Sequence, residues 1–566
     1  MKTTRISLIV LTATLLFAGC TKKIQLTAEN FNVTPQILEE NGGKIPVVIS
    51  GRLPEKFMNR KSTVAITPVL RYQGGEVSGE TMTFQGENVR GNAQKISYRL
   101  GGNYTQRTVF NYVPEMMKSG LYMKVVQQKG KKITVTPDIY VAPGILSTST
   151  LATRTVASAK PALSTDKYQY AIAQQQEAHI LYLLAKADVR ESEVQGTNVQ
   201  DFLRTLRQIK AEETGYAIDG ITISAYASPD GKLDFNRQLA ERRQSSSEEF
   251  LRSKLDSIGL KTNIVTSYTA EDWEGFQRLV SASNIEDKEV ILRVLSMYED
   301  PEERERQMRN ISAAYGELAD TVLPALRRAR MIINYNVIGR SDDEILAQYN
   351  TDPTRLNAEE LIYGATLTND AALQQRIYQT AATQNPTDYR PLNNLATLAF
   401  QQGDYTQAAS LLARARALKS DAAEVNLNSA LVALAQGNYQ EAETFLSKAT
   451  ASKNYSEALG NLLITQGKFR QAAQSFGSTK SNSAALAQIL AKDYRHAANT
   501  LSAISKPDAT TNYLKAIVAA RTNQHKTAVN ALQKAIAADP TLKTHAANDL
   551  EFITLFNDEA FKNLIK

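Results

Sequence analysis

The chain has 566 residues, too many for one ordinary hydrophobic core, which implies roughly three or four domains. Hydrophobic residues make up 43% and charged residues 22%, a globular balance that excludes a wholly disordered chain. The formal net charge of +7 suits anionic surroundings such as a cell wall or lipid headgroups. No basic patch interleaved with aromatics argues for nucleic acid.

The N-terminus opens on a short cationic region with Lys2 and Arg5. Ile6 to Phe17 is an apolar run of the length of a secretory leader's core, too short to span a bilayer comfortably. Ala18 and Gly19 then precede Cys20, the only cysteine in the sequence, so an internal disulfide is excluded. Phe17-Ala18-Gly19-Cys20 resembles the lipobox of bacterial lipoproteins. The resemblance implies a signal peptide over residues 1–19, cleavage before Cys20, and acyl chains on Cys20 that tie the mature chain to a membrane; several chains anchor stably where one does not. Lipoproteins that some Gram-negative groups send to the cell surface often carry acidic residues just after the cysteine, and here none occurs before Glu29. The expected location is therefore the cell envelope, lipid-anchored on the periplasmic face of the outer membrane.

Residues 20–145 carry short β-branched runs such as Lys44 to Gly51, Ser62 to Leu70 and Leu121 to Val126, punctuated by Gly42-Gly43, Gly74-Gly75 and Gly101-Gly102. Short strands with turn signals between them predict an all-β, sandwich-like domain. Residues 146–167 are small, polar and poor in aromatics, the composition of a flexible linker.

Over residues 168–340 strands and helices alternate, which predicts an α/β sandwich. Ile221 to Tyr226 runs as a strand into the turn Ala227-Ser228-Pro229-Asp230-Gly231, and a long helix follows with Asn236, Leu239 and Arg243. This stretch resembles the OmpA-like C-terminal domain, a peptidoglycan-binding fold whose pattern is Gly-x-Thr-Asp-x-x-Gly and then Asn-x-x-Leu-Ser-x-x-Arg-Ala. Gly231, Asn236, Leu239 and Arg243 match; the family acid is replaced by Ser228, and the nearest acid is Asp230. The segment before the last strand is also longer than the family's and carries the only tryptophan, Trp273. The resemblance implies that Arg243 pairs with a wall-peptide carboxylate, with Ser228, Asp230, Gly231 and Asn236 completing the site. The alternative is that Arg243 and Asp230 brace the strand–helix turn.

Residues 341–566 are rich in Ala, Leu and Gln, and a unit recurs in them. Gly403-Asp404-Tyr405, Ala408, Leu412 and Ala415 reappear as Gly437-Asn438-Tyr439, Ala442, Leu446 and Ala449, 34 residues on. Later recurrences at Gly467, Tyr494 and His525 are less regular. The period is similar to the tetratricopeptide repeat, which implies an all-α solenoid with a capping helix and a concave face that takes a protein or peptide partner. Asn394 and Asn428 occupy equivalent positions on that face and are candidates for bonding a peptide backbone.

Four histidines without metal-ligand spacing, no cysteine cluster and no nucleophile or phosphate-loop motif give no metal or cofactor reading and leave an enzyme acting on the wall as a distant third. Two functions follow. One is a scaffold that holds cell wall through the central domain and a protein through the repeats. The other is a subunit of an outer-membrane secretion or surface-fibre assembly system in which the central domain makes protein contacts.

Overall fold

The computed structural model describes residues 24–286, 288–310 and 312–566; the leader and Cys20 lie outside the described residues. The chain forms two compact units. One combines residues up to Thr165 with Thr368–Lys566, and the other is Asp166–Leu367.

The first unit begins with the expected β-rich region. An antiparallel sheet orders Phe31–Thr34, Lys44–Leu53 and Gly102–Asn111. A larger sheet centres on Thr63–Tyr72 paired with Ser119–Lys129. The period of two sends Ile45, Val47 and Ile49 from one sheet and Val64, Ile66, Leu121 and Met123 from the other into one buried core. Ile145–Leu146 then leaves the sheets and pairs in parallel with Leu38–Glu39.

The helical part of this unit stacks five helix pairs: Arg390–Gln401 with Tyr405–Leu418, Ala423–Ala435 with Tyr439–Leu446, Tyr455–Thr465 with Phe469–Phe476, Asn482–Leu490 with Tyr494–Ser502, and Ala509–Arg521 with His525–Ala538. The recurring alanines Ala408, Ala442, Ala472, Ala497 and Ala528 are fully buried, because only a small residue lets the paired helices approach closely. Each turn passes through a left-handed residue, Gly403, Gly437 and Gly467 in the first three pairs and Lys492 and Asn523 in the last two. The period shortens where outer helices shrink, from 14 residues at Tyr405–Leu418 to 8 at Tyr439–Leu446 and Phe469–Phe476. A Cβ at Gly467 would sit 1.6 Å from Asn41 Oδ1, so this turn is also where the β region seats on the helices.

The second unit holds a four-stranded sheet in the order Ala171–Leu181, Arg328–Ile338, Tyr216–Tyr226, Ile264–Thr269, with only the last pair parallel. Helices Thr197–Ala211 and Leu233–Ile258 cover one face, packing Phe202, Leu206, Leu251 and Leu255 on Ile180, Ile223, Met331 and Ile333. The long segment before the last strand builds a separate core from Phe276, Val280, Leu295, Met308 and Leu326.

Two expected boundaries change. Residues 341–367, assigned from sequence to the helical repeats, belong to the second unit: Tyr168 stacks on Tyr363 with ring centroids 4.7 Å apart, and Arg340 pairs with Glu360 at 2.7 Å. Residues 146–165, expected as a flexible linker, are built into the first unit, with Thr155 and Val156 essentially inaccessible to solvent. Small side chains suit a solvated linker and a chain squeezed between helices equally well, and here the second use prevails.

Candidate functional site

The inner helices of a stacked solenoid ordinarily keep one face open. Here Pro391–Phe400 and Val425–Leu434 are buried along their whole lengths, polar residues included. The covering is the chain's own segment 147–165. It enters beside the C-terminal cap, where the Thr148 hydroxyl bonds Glu551, itself paired with Arg521. Arg154 reaches Asp539 at 2.9 Å and Thr541 at 3.1 Å. Leu151 and Ala152 join the apolar core of the last repeats. The segment therefore runs against the order of the repeats.

Its last six residues, 160–165, have no regular secondary structure and are held through their backbone. Asn454 Nδ2 donates to Lys160 O at 2.9 Å. Ala162 N–H donates to Asn428 Oδ1 at 2.7 Å, and Ala162 O accepts from Asn428 Nδ2 at 2.7 Å and Asn393 Nδ2 at 3.0 Å. Ser164 N–H donates to Asn394 Oδ1 at 2.8 Å, and Asn394 Nδ2 donates to Ser164 O at 3.0 Å. One carboxamide satisfies both polar groups of one residue only where that residue is extended, with its N–H and C=O on the same side. Residues 162 and 164 present the same side because the extended backbone alternates with a period of two. The Ser164 hydroxyl donates to Glu424 Oε1 at 2.8 Å, which also accepts from the Tyr389 hydroxyl at 2.9 Å. Burial, and then Glu424, push the Tyr389 hydroxyl up to about 12. Burial raises Glu457, an effect opposed by the charge and backbone N–H of Lys160.

Residues 393–457 match the tetratricopeptide repeat family. No curated protein matches the chain. Among solved structures it is similar to a tetratricopeptide repeat protein from Parabacteroides merdae, at 15% identity over 40% of this chain and 89% of that one, TM-score 0.28. It is also similar to the APC/C hetero-tetramer Cut9-Hcn1, at 17% identity over 39% of this chain and 44% of that one, TM-score 0.30. Pseudomonas aeruginosa pilF aligns at 17% identity over 39% of this chain and 100% of that one, TM-score 0.27. The family match sets tetratricopeptide repeats at 393–457, and Asn394 and Asn428 lie on equivalent turns of the inner helices of two successive helix pairs. Asn393, Asn454, Tyr389 and Glu424 escaped the sequence reading. Its available signal was the lack of a polar, solvent-suited face on Ala423–Ala435.

The residues singled out in the second unit lie around one strand–helix turn, and their polar groups are already bonded within the unit. Arg243 is fully buried and donates from Nε to Lys186 O at 3.0 Å, from Nη1 to Tyr226 O at 2.8 Å and from Nη2 to Leu183 O at 3.2 Å. Its guanidinium lies 5.2 Å from the Tyr182 ring centroid. Burial pushes it down to about 10, so it stays cationic at neutral pH. The resemblance implied pairing with a ligand carboxylate; in this structure the guanidinium instead braces the loop at 183–186 against the end of strand Tyr216–Tyr226. Asp230 pairs with Arg327 at 3.0 Å and accepts from the Ser228 hydroxyl at 2.5 Å; Arg327 Nε also donates to Ser228 Oγ at 3.2 Å. Asn236 Nδ2 donates to Gly231 O at 2.7 Å and fixes the turn to the helix. Arg309, from the helical insertion, donates to Asp230 O and pairs with Glu305.

Proposed function

We propose that this protein is a non-catalytic scaffold of the cell envelope whose tetratricopeptide groove holds polypeptide in extended form. The observation that carries the reading is the double pairing of Asn394 with Ser164 and of Asn428 with Ala162, which makes the groove a reader of backbone. Main-chain recognition of this kind gives affinity without demanding one sequence. The envelope location and the lipid anchor on Cys20 rest on the leader of the sequence. For the second unit, protein contact is favoured over cell-wall binding, because Arg243 and Asp230 already have partners within the unit. Retention on purified sacculi decides that point: the full chain is expected to wash off, and saturable retention would restore the wall reading.

The groove reading is tested by photo-crosslinking in cells. A photoreactive residue at Tyr389 is expected to give a discrete adduct that is lost with Asn394→Ala and Asn428→Ala. The same probe at Gln440, on an outer helix, is expected to give none. Adducts from Gln440 alone would place the partner elsewhere.

A further inference from the structure

The segment 147–165 is held in two different ways. Its first part is buried by side chains: Leu151, Ala152, Thr155 and Val156 are at most 5% exposed. Its last part buries little. Lys160 and Thr165 are exposed, Leu163 is 52% exposed, and Ser164 is the one fully buried side chain between 160 and 165. What holds 160–165 is a ladder of carboxamide–backbone bonds, which any other extended backbone could accept in exchange at nearly equal strength. Releasing these six residues therefore frees few buried side chains of the segment itself and leaves the deeper anchor in place.

We propose that residues 160–165 are a built-in stand-in for a partner segment, displaced when an extended strand from another protein takes the Asn393, Asn394, Asn428 and Asn454 ladder. This deepens the groove reading above and rests on it. The stand-in also describes the partner. Position 162 carries a half-buried methyl group, and position 164 carries a hydroxyl that donates to Glu424. The partner segment is an extended chain with a small residue at one position and serine or threonine two residues later. Because the anchored part tethers the stand-in beside the ladder, the groove is closed to weak ligands and opens to a segment that outcompetes a tethered rival.

The test uses the full chain and a labelled synthetic peptide with the sequence of residues 158–167. The double substitution Ala162→Pro/Ser164→Pro removes the two donors to Asn428 and Asn394 while proline remains compatible with extended backbone. The peptide is expected to bind this variant at least tenfold more tightly than the unaltered chain. Adding Asn394→Ala and Asn428→Ala is expected to abolish that binding. If the proline variant loses its helical circular-dichroism signal, Ser164→Ala, which removes only the hydroxyl to Glu424, takes its place with a gain of about threefold expected. Equal affinity for the unaltered and loosened chains would overturn the stand-in and leave the groove reading intact. Absence of binding to the loosened, folded chain would overturn both, and loss of the in-cell adducts from Tyr389 would then follow. Light scattering separates a further occupant: a concentration-dependent dimer of the unaltered chain that the peptide dissolves would make the occupant a second copy and overturn the foreign segment.

Discussion

The carboxamide of Asn394 pairs with both the N–H and the C=O of Ser164, at 2.8 and 3.0 Å, so a side chain of the first repeat reads the backbone of a residue 230 positions earlier. Thirty-four residues on, Asn428 does the same to Ala162. The repeat of the solenoid is thereby converted into a repeat of backbone recognition.

Removing both carboxamides takes away four bonds to the backbone, the two at Ser164 buried and the two at Ala162 half-buried, while Ala162 O keeps Asn393 Nδ2. At about 1 kcal/mol net per bond, Asn394→Ala/Asn428→Ala should loosen residues 160–165 by a few kcal/mol. Limited proteolysis with a protease of broad specificity should then cut within 159–165 at least tenfold faster than in the unaltered chain. The helices should melt within a few degrees of their original temperature, because the apolar core of the repeats is untouched.

Arg243→Lys should damage the second unit. A lysine ammonium cannot reach the Lys186, Tyr226 and Leu183 carbonyls together in the planar geometry they require. The expected loss is about 3 kcal/mol, read as a fall of about 6–12 °C in the melting of that unit. An unchanged melting temperature would show that the three bonds are not holding the loop to the strand end.

At the cap of the repeats, Asp549 is fully buried, accepts from the Tyr513 hydroxyl at 2.7 Å and caps Glu551 N–H at 3.0 Å. Burial, and then the nearby Glu551, raise its carboxyl to about 7. An acid raised in the folded state favours folding at low pH, and that contribution is lost as pH rises from about 4 through 7. Asp549→Asn keeps an acceptor and removes the titration. Unaltered protein should therefore lose more thermal stability between pH 4 and pH 7 than the variant, compared pairwise in the same buffers.

The anchor is tested by Cys20→Ala. The variant should leave the membrane fraction after a salt wash, or retain its leader; unchanged fractionation of a processed chain would show that lipid is not what holds it.

Much of the arrangement was legible in the sequence. The β-branched runs gave the two sheets, and the 34-residue spacing placed Asn394 and Asn428 on one face. Their ligand was not legible, because Ser158, Ala159, Ala162 and Ser164 have the composition of a solvated linker, and only the long-range pairing distinguishes the two uses. Arg243 was picked out because it matches the arginine of the OmpA-like pattern, yet its partners here are backbone carbonyls, which leave no signature in a sequence. The edge of the second unit was missed because the helices at Asp342–Thr351 and Ala358–Gly364 resemble repeat helices locally, while Tyr168, far away in sequence, fixes Tyr363.

The most direct measurement is amide hydrogen exchange at Ala162 and Ser164 in the full chain under native conditions. The structure predicts that both are protected relative to Leu163 and Thr165, that they exchange faster than the amides of the buried part around Thr155 and Val156, and that Asn394→Ala/Asn428→Ala removes the protection. Exchange of Ala162 and Ser164 in the unaltered chain at the rate of an unstructured peptide would contradict occupancy of the groove by its own segment.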